Sequence, residues 1–151
     1  RYHIEEDLVV IGRKGWDYQE TLNYIDATRW KPSIRLLGFV PDADLGSFYR
    51  NASLFVYPSF MEGFGIPPLE AMTYGCPTLT TNTSSLPEVM QFPEMMFDPS
   101  NIEEMAARCH LILSDPSARE DNIAKARINA RRFSWQASAE KIILLYNLLA
   151  R

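Results

Sequence analysis

The sequence predicts an α/β fold in which a parallel sheet is flanked by helices on both faces. Short apolar runs alternate with helix-period segments as far as Phe97. The runs lack the in–out alternation of a sheet with one wet face, so they suit strands covered on both sides. Glycine or proline closes most of them, which marks where each strand hands over to a loop.

In chain order, Leu8-Val9-Val10-Ile11 reads as a buried strand ended by Gly12. Asp17 and Glu20 have the spacing of a capping box for a helix reaching about Arg29. Ile34-Arg35-Leu36-Leu37 is the second strand, closed by Gly38, and Pro41-Asp42 opens a helix through about Arg50. Leu54-Phe55-Val56-Tyr57 is the third strand. A Gly/Pro-rich turn follows, then a helix over Pro68–Tyr74 stopped by Gly75. Pro77-Thr78-Leu79-Thr80 is the fourth strand, and a shorter one is expected near Met95–Phe97.

The remainder reads as helix. Ser100 and Glu103 form a second capping-box pattern, for a helix to about Leu113. Asp115-Pro116 places an N-cap before a proline at the first helical position, for a helix to about Arg132. Ser134 starts the last helix, whose apolar side carries Ile142, Ile143, Leu145, Tyr146 and Leu149. Met90, Met95, Met96 and Met105 read as core filler. Lys125, Arg127, Arg131 and Arg132 read as a solvated helix face.

With 151 residues, 46% hydrophobic and 23% charged, the chain has the size and balance of one globular domain with a sizeable core. A net charge of −4 without a long basic run argues against nucleic-acid binding through phosphates. It leaves room for a small anion in a local pocket. No apolar stretch approaches the roughly 20 residues that cross a bilayer, and no signal-peptide pattern is present. Cys76 and Cys109 suggest no disulfide framework, which favours a reducing compartment. His3 and His110 lack metal-ligand spacing. The first residue is Arg1 and a strand follows almost at once, so the expectation is a piece of a longer protein.

The chemistry concentrates in Glu62-Gly63-Phe64-Gly65-Ile66-Pro67-Pro68-Leu69-Glu70. Two carboxylates, seven residues between them, bracket a Gly-rich turn that follows a strand and opens a helix. Ligands of parallel α/β sheets bind beyond the carboxyl ends of the strands. A turn's N–H groups and a helix N-terminus attract anions, and carboxylates accept from sugar hydroxyls. A sugar joined to a phosphate meets both requirements. The plainer readings stand beside this one: Glu70 as a first-turn carboxylate complementing the helix dipole, Glu62 as a solvated loop residue, Gly63 and Gly65 as turn glycines, Phe64 as partly core. Pro67 stands where a reciprocal capping box needs Ser or Thr, so the donors at Gly65, Ile66 and Leu69 have no obvious side-chain cap. Arg13 and Lys14 offer positive charge or simply a solvated turn. Phe39 and Val40 offer an apolar surface for a nucleobase or pack their own loop. Ser84, Ser85 and Glu88 read as capping and turning the chain after the fourth strand.

These residues resemble a known family. Phe55-Val56-Tyr57-Pro58-Ser59, the run Glu62 to Met72, Gly75-Cys76-Pro77 and Ser84-Ser85-Leu86-Pro87-Glu88-Val89 are similar to the nucleotide-sugar-binding domain of retaining family-4 glycosyltransferases, which have the two-domain GT-B fold. Gly12-Arg13-Lys14-Gly15-Trp16, Leu37-Gly38-Phe39-Val40-Pro41, Tyr49-Arg50-Asn51-Ala52 and Phe133-Ser134-Trp135 extend the likeness over nearly the whole chain. The E-x7-E spacing alone is a weak signal; the ordered set is a specific one.

The resemblance implies a Rossmann-like C-terminal half of a GT-B enzyme, residues 1–151 forming the donor domain without its first strand–helix unit or the N-terminal acceptor domain. It implies that Glu70 holds the ribose hydroxyls. Glu62 is expected beside the transferred sugar, where it orients hydroxyls and stabilises positive charge at the anomeric carbon. Gly63, Phe64, Gly65, Ile66 and Leu69 are expected to contact sugar and diphosphate, and Phe39 and Val40 the base. The implied reaction moves a hexose from a nucleotide-diphosphate sugar, UDP- or GDP-linked, to a glycan or lipid-linked acceptor with retention, in polysaccharide or lipopolysaccharide assembly. No metal or other cofactor is implied, and no nucleic-acid partner. Acceptor recognition and any attachment to the inner face of the membrane of a cytoplasmic enzyme would belong to the absent domain. The family's diphosphate-binding arginine and lysine come from the absent first unit and are not Arg13 and Lys14, so this chain alone is expected to be inactive. Its last helix, which in the family connects back toward the other domain, is expected to be exposed. Two other readings stay open: a non-catalytic nucleotide-sugar-binding or regulatory domain, and a relative of nucleotide-sugar epimerases or phosphorylases. Both glutamates favour the transferase, and no cofactor lysine site of a phosphorylase is evident.

Overall fold

The computed structural model describes residues 4–15 and 17–150; His3 and Trp16 of the readings above lie outside them. The chain forms two compact units, Arg1–Phe48 and Tyr49–Arg151.

The first unit holds strand β1 (Leu8–Ile11), helix α1 (Tyr18–Ala27), a 3-10 turn (Lys31–Ser33) and strand β2 (Ile34–Gly38). β1 and β2 pair in parallel, Leu8 opposite Ile34, with α1 in the crossover that parallel pairing requires. The expected burial of β1 is not met: Leu8 is 58% exposed, and Val9, Val10, Leu36 and Leu37 are exposed as well. Their apolarity suits them to a covered sheet, but the described residues do not cover both faces of a two-stranded one. The capping box at α1 is also absent. Asp17 adopts a left-handed backbone (φ 55°) and makes no side-chain cap bond, because a capping side chain reaches the first turn from an extended backbone.

Helix α2 (Asp42–Asn51) spans the boundary between the units. The second unit continues with β3 (Phe55–Tyr57), α3 (Ile66–Thr73), β4 (Thr78–Thr81), α4 (Leu86–Met90), a 3-10 turn (Pro93–Met95), β5 (Met96–Phe97), α5 (Ile102–Ser114), α6 (Pro116–Ala130) and α7 (Trp135–Leu149). Strand order is β3-β4-β5, all parallel, with Tyr57 opposite Thr80 and Thr80 opposite Met96. The fold class is therefore as expected, with the strands distributed over two sheets.

Among the described residues the core falls into two clusters. Leu79 joins Phe97 and Ile112, with Val56, Met105 and Cys109 packed around them. A second cluster gathers Met72, Val89, Met90, Met95, Met96 and Ala126. The methionines thus fill the core as their type suggested. Thr78, Thr80 and Thr81 are fully buried polar residues. Thr78 is matched by Asn122 of α6, whose amide accepts from its N–H at 2.8 Å and donates to its carbonyl at 3.1 Å.

Helix caps follow short-range chemistry with one displacement. Asp115 caps α6 and Ser134 caps α7 through side-chain oxygens. For α5 the cap is Asn101, accepting from Glu104 N–H at 3.0 Å, rather than Ser100 with Glu103. Ser100 instead donates its hydroxyl to Asp98 in the preceding turn. The basic residues of α6 and of the turn after it are not all idle in solvent. Lys125 pairs with Asp121 and Glu94, and Arg132 donates to the carbonyls of Glu88 (3.0 Å) and Val89 (3.2 Å), holding α4. Helix α7 has no buried residue, as expected for its apolar side.

Candidate functional site

The connection from β3 to α3 carries Glu62 and α3 itself carries Glu70, and the connection leaves the sheet at the carboxyl end of its parallel strands. β4 ends beside β3 in parallel register, so the segment after β4 emerges at the same edge. The two loops are stitched together. Thr81 donates its hydroxyl to the Ser59 carbonyl, and Thr83 to the Phe60 carbonyl at 3.2 Å.

Glu62 is the most constrained residue of this edge. Its Oε1 accepts from Tyr57 Oη at 2.7 Å and from Ser59 Oγ at 2.8 Å. Its backbone N–H donates to Ser84 Oγ at 3.1 Å. Its carbonyl accepts from Ser84 Oγ at 2.6 Å and Ser85 Oγ at 3.0 Å. Ser84 reaches both groups from a left-handed backbone (φ 58°), an uncommon conformation outside glycine. Ser85 precedes α4 but makes no side-chain cap bond, so the reading of Ser84 and Ser85 as caps gives way to a tie onto Glu62.

Glu70 accepts from Tyr49 Oη at 3.1 Å. It does not lie in the first turn of α3, because that helix begins at Ile66, earlier than expected, with Pro67 and Pro68 inside it. The dipole explanation of Glu70 loses its basis, since that effect fades beyond the first turn. The two carboxylates are joined by aromatic packing. Tyr49 stands edge-on to Phe55 (5.5 Å between centroids), and Phe55 stacks on Tyr57 (6.0 Å). Burial first, then the hydrogen bond and charge of Glu62, push the Tyr57 phenol up to about 12. Burial, then the charge and hydrogen bond of Glu70, raise that of Tyr49. Both phenols therefore stay protonated at neutral pH and act as donors to their carboxylates.

Gly65 is the N-cap of α3, with φ 102° and no side-chain cap. Among the first N–H groups of the helix, Pro67 and Pro68 have none to offer. Leu69 N–H already donates to the Gly65 carbonyl at 3.4 Å, which removes it from the expected anion donors. Gly65 and Ile66 supply the donors of this helix start. Phe64 is 42% exposed and sets its ring edge-on to Phe133 at 5.5 Å. Gly63 has open space where a side chain would stand. Glu62, Gly63, Phe64 and Gly65 thus share the β3–α3 connection in the second unit, and Ile66, Leu69 and Glu70 lie in α3 itself. Phe39 and Val40 belong to the first unit, at the end of β2, where the Arg13 guanidinium lies 4.9 Å from the centre of the exposed Phe39 ring.

Tyr49, Tyr57, Ser59, Ser84 and Ser85 had no assigned part in the site from sequence. Tyr57 and Ser59 share a short segment with Glu62, a signal that was legible. Tyr49 stands 21 residues from Glu70, and Ser84 22 from Glu62, separations that carry no local pattern. Among the described residues no group of three or more His, Cys, Asp or Glu side chains is placed to hold a metal ion.

A carboxylate accepts from hydroxyl groups and the free N–H groups of a helix start attract anions, so this sheet edge brings both chemistries together. The family model described as "Glycosyl transferases group 1" matches residues 3–129. The chain belongs to this family. The group 1 transferase chain is 39% identical over 142 residues to O-antigen chain mannosyltransferase B of Escherichia coli, covering 94% of this chain and 37% of that protein. It is 40% identical over 106 residues to the serotype-specific mannosyltransferase WbdA of Escherichia coli, covering 70% of this chain and 13% of the relative. The chain therefore spans well under half the length of these relatives. Sucrose-phosphate synthase from Thermosynechococcus elongatus superposes with a TM-score of 0.85 at 23% identity, covering 95% of this chain and 38% of that one. The Anabaena protein HepE, solved in complex with UDP and glucose, superposes with 0.81 at 19% identity, covering 93% and 40%. At these identities the likeness establishes the fold, that of GT-B glycosyltransferases. No helix among the described residues is long and apolar enough to cross a membrane.

Proposed function

We propose that this chain is the nucleotide-sugar-binding portion of a retaining hexosyltransferase that builds a polysaccharide or lipopolysaccharide glycan. The observation that carries the reading is Glu62, fixed by side chain and backbone at the sheet edge beside the Gly65–Ile66 donors. Mannose is the first sugar to test, because two relatives at about this level of identity are named mannosyltransferases. A base linked as UDP or GDP remains the expected donor form.

In this reading the Gly65 and Ile66 N–H groups face the diphosphate, Glu70 accepts from ribose hydroxyls, and Glu62 faces the sugar. The bond from the anomeric carbon to the diphosphate oxygen breaks while the acceptor oxygen bonds to the same face. The acceptor proton passes to the departing phosphate. Backbone donors stabilise charge growing on the leaving group, and the Glu62 carboxylate stabilises the positive charge growing on the sugar. The step needs no metal. Acceptor binding, and any peripheral attachment of a cytoplasmic enzyme to the membrane, are assigned to protein outside this chain.

The test is ligand-detected NMR on the full-length protein with UDP-, GDP-, ADP- and dTDP-sugars, alongside Glu70→Ala. Selective binding weakened in Glu70→Ala supports the reading. Equal affinity in wild type and Glu70→Ala overturns the role of Glu70. Absence of binding by any nucleotide sugar overturns the function.

A further inference from the structure

We propose that Tyr57, Ser59 and Ser84 are positioning residues that commit one oxygen of Glu62 to the protein and present the other to a single sugar hydroxyl. The inference rests on the donor-site reading above and adds to it which groups orient the carboxylate. A carboxylate has two oxygens with about four lone-pair sites between them. Oε1 accepts two short bonds, from Tyr57 Oη and Ser59 Oγ, which fill its sites. Oε2 receives no hydrogen bond from the described residues. The carboxylate is therefore asymmetric, with one side built into the fold and one side available.

The backbone beneath it is fixed as closely. Ser84 closes a two-point tie on Glu62 N–H and carbonyl, and Ser85 adds a second donor to the carbonyl. Ser84 holds a left-handed backbone that residues other than glycine rarely adopt, so the tie is made against local preference. Strain of this kind persists where surrounding structure over-determines it. Here Thr81 and Thr83 bind the neighbouring carbonyls of Ser59 and Phe60, while Arg132 holds the far end of α4. The Tyr57 ring stacks on Phe55, which places the hydroxyl at the end of β3 beside the loop that carries Glu62.

A group that acts through orientation lowers turnover when removed while leaving donor binding in place, because misplacement by about 1 Å costs up to 10²-fold in rate. The variants are Tyr57→Phe, Ser59→Ala and their double, measured in the full-length protein against wild type and Glu62→Ala. Tyr57→Phe keeps the ring and its stacking and removes only the hydroxyl. The expected result is a fall in kcat of about tenfold in each single variant and about 10²-fold in the double. KM for the donor stays within about twofold, and Ser59→Thr, which restores a hydroxyl, recovers most of the loss. Unchanged kcat in the double, with Glu62→Ala strongly impaired, overturns the positioning role and leaves the donor-site reading intact. A rise in donor KM at constant kcat overturns it too, since the hydroxyls would then be binding groups. Unchanged turnover in Glu62→Ala is the separate outcome that removes the parent reading.

Discussion

Replacing Gly65 by alanine puts the geometry at the head of α3 to a quantitative test. Gly65 has φ +102°, and a Cβ built there stands 2.7 Å from Leu86 Cδ2. A side chain at that backbone conformation costs about 1–2 kcal/mol. The contact adds about 1–3 kcal/mol of overpacking, because Leu86 is fully buried and must shift within the core to make room. The expected loss is about 2–5 kcal/mol, a large fraction of the 5–15 kcal/mol that holds an ordinary domain. Gly63→Ala is the control: a Cβ there meets nothing within 4 Å, and its backbone is not left-handed. Its expected change is within about 0.5 kcal/mol. Urea unfolding followed at the Leu79 and Phe97 amide resonances reads the second unit itself, which matters because two units need not unfold together. A loss below about 1 kcal/mol in Gly65→Ala, or equal losses in the two variants, would refute the close-packed turn.

Three further outcomes follow from named contacts. Glu62→Gln should bring the Tyr57 phenol down from about 12 toward its ordinary 10.0, incompletely because burial, the largest cause, remains; site-resolved ring-carbon NMR through alkaline pH measures it, and an unmoved titration would break the pairing. The same shift fixes a stability sign. The Tyr57 contribution is fully present below pH 10.0 and is lost as pH climbs through about 12, since the folded state favours the protonated phenol. Asn122→Ala should destabilise by about 2–4 kcal/mol, because the buried Thr78 N–H and carbonyl both lose a partner; urea midpoints at constant m would check it.

Much of the fold was legible because its signals are local. Strand β1 matches its expected range, β5 lies within the region proposed for it, β2 and β3 differ by one residue at one end, and β4 shifts by one, because each is an apolar or β-branched run closed by turn chemistry. The caps at Asp115 and Ser134 were legible for the same reason: a cap reaches two or three residues along its own chain. Asp17 shows the limit, since spacing was right while backbone conformation was not. The start of α3 shows another, because Pro67 and Pro68 are both accommodated in a first turn that needs no donors there.

By itself the sequence determined the order of the strands and of every helix but the short α4, the placement of Glu62 and Glu70 around a glycine turn, and membership of a transferase family. Those properties depend on residue type and short spacing, which a linear chain displays directly. Only the tertiary structure decided what holds the carboxylates: Tyr49 reaches Glu70 from α2, and Ser84 reaches Glu62 from beyond β4. Parallel pairing of β3 with β4 brings two distant loops to one sheet edge. A hydrogen bond is set by a few tenths of an ångström and an angle, quantities that no spacing along the chain encodes.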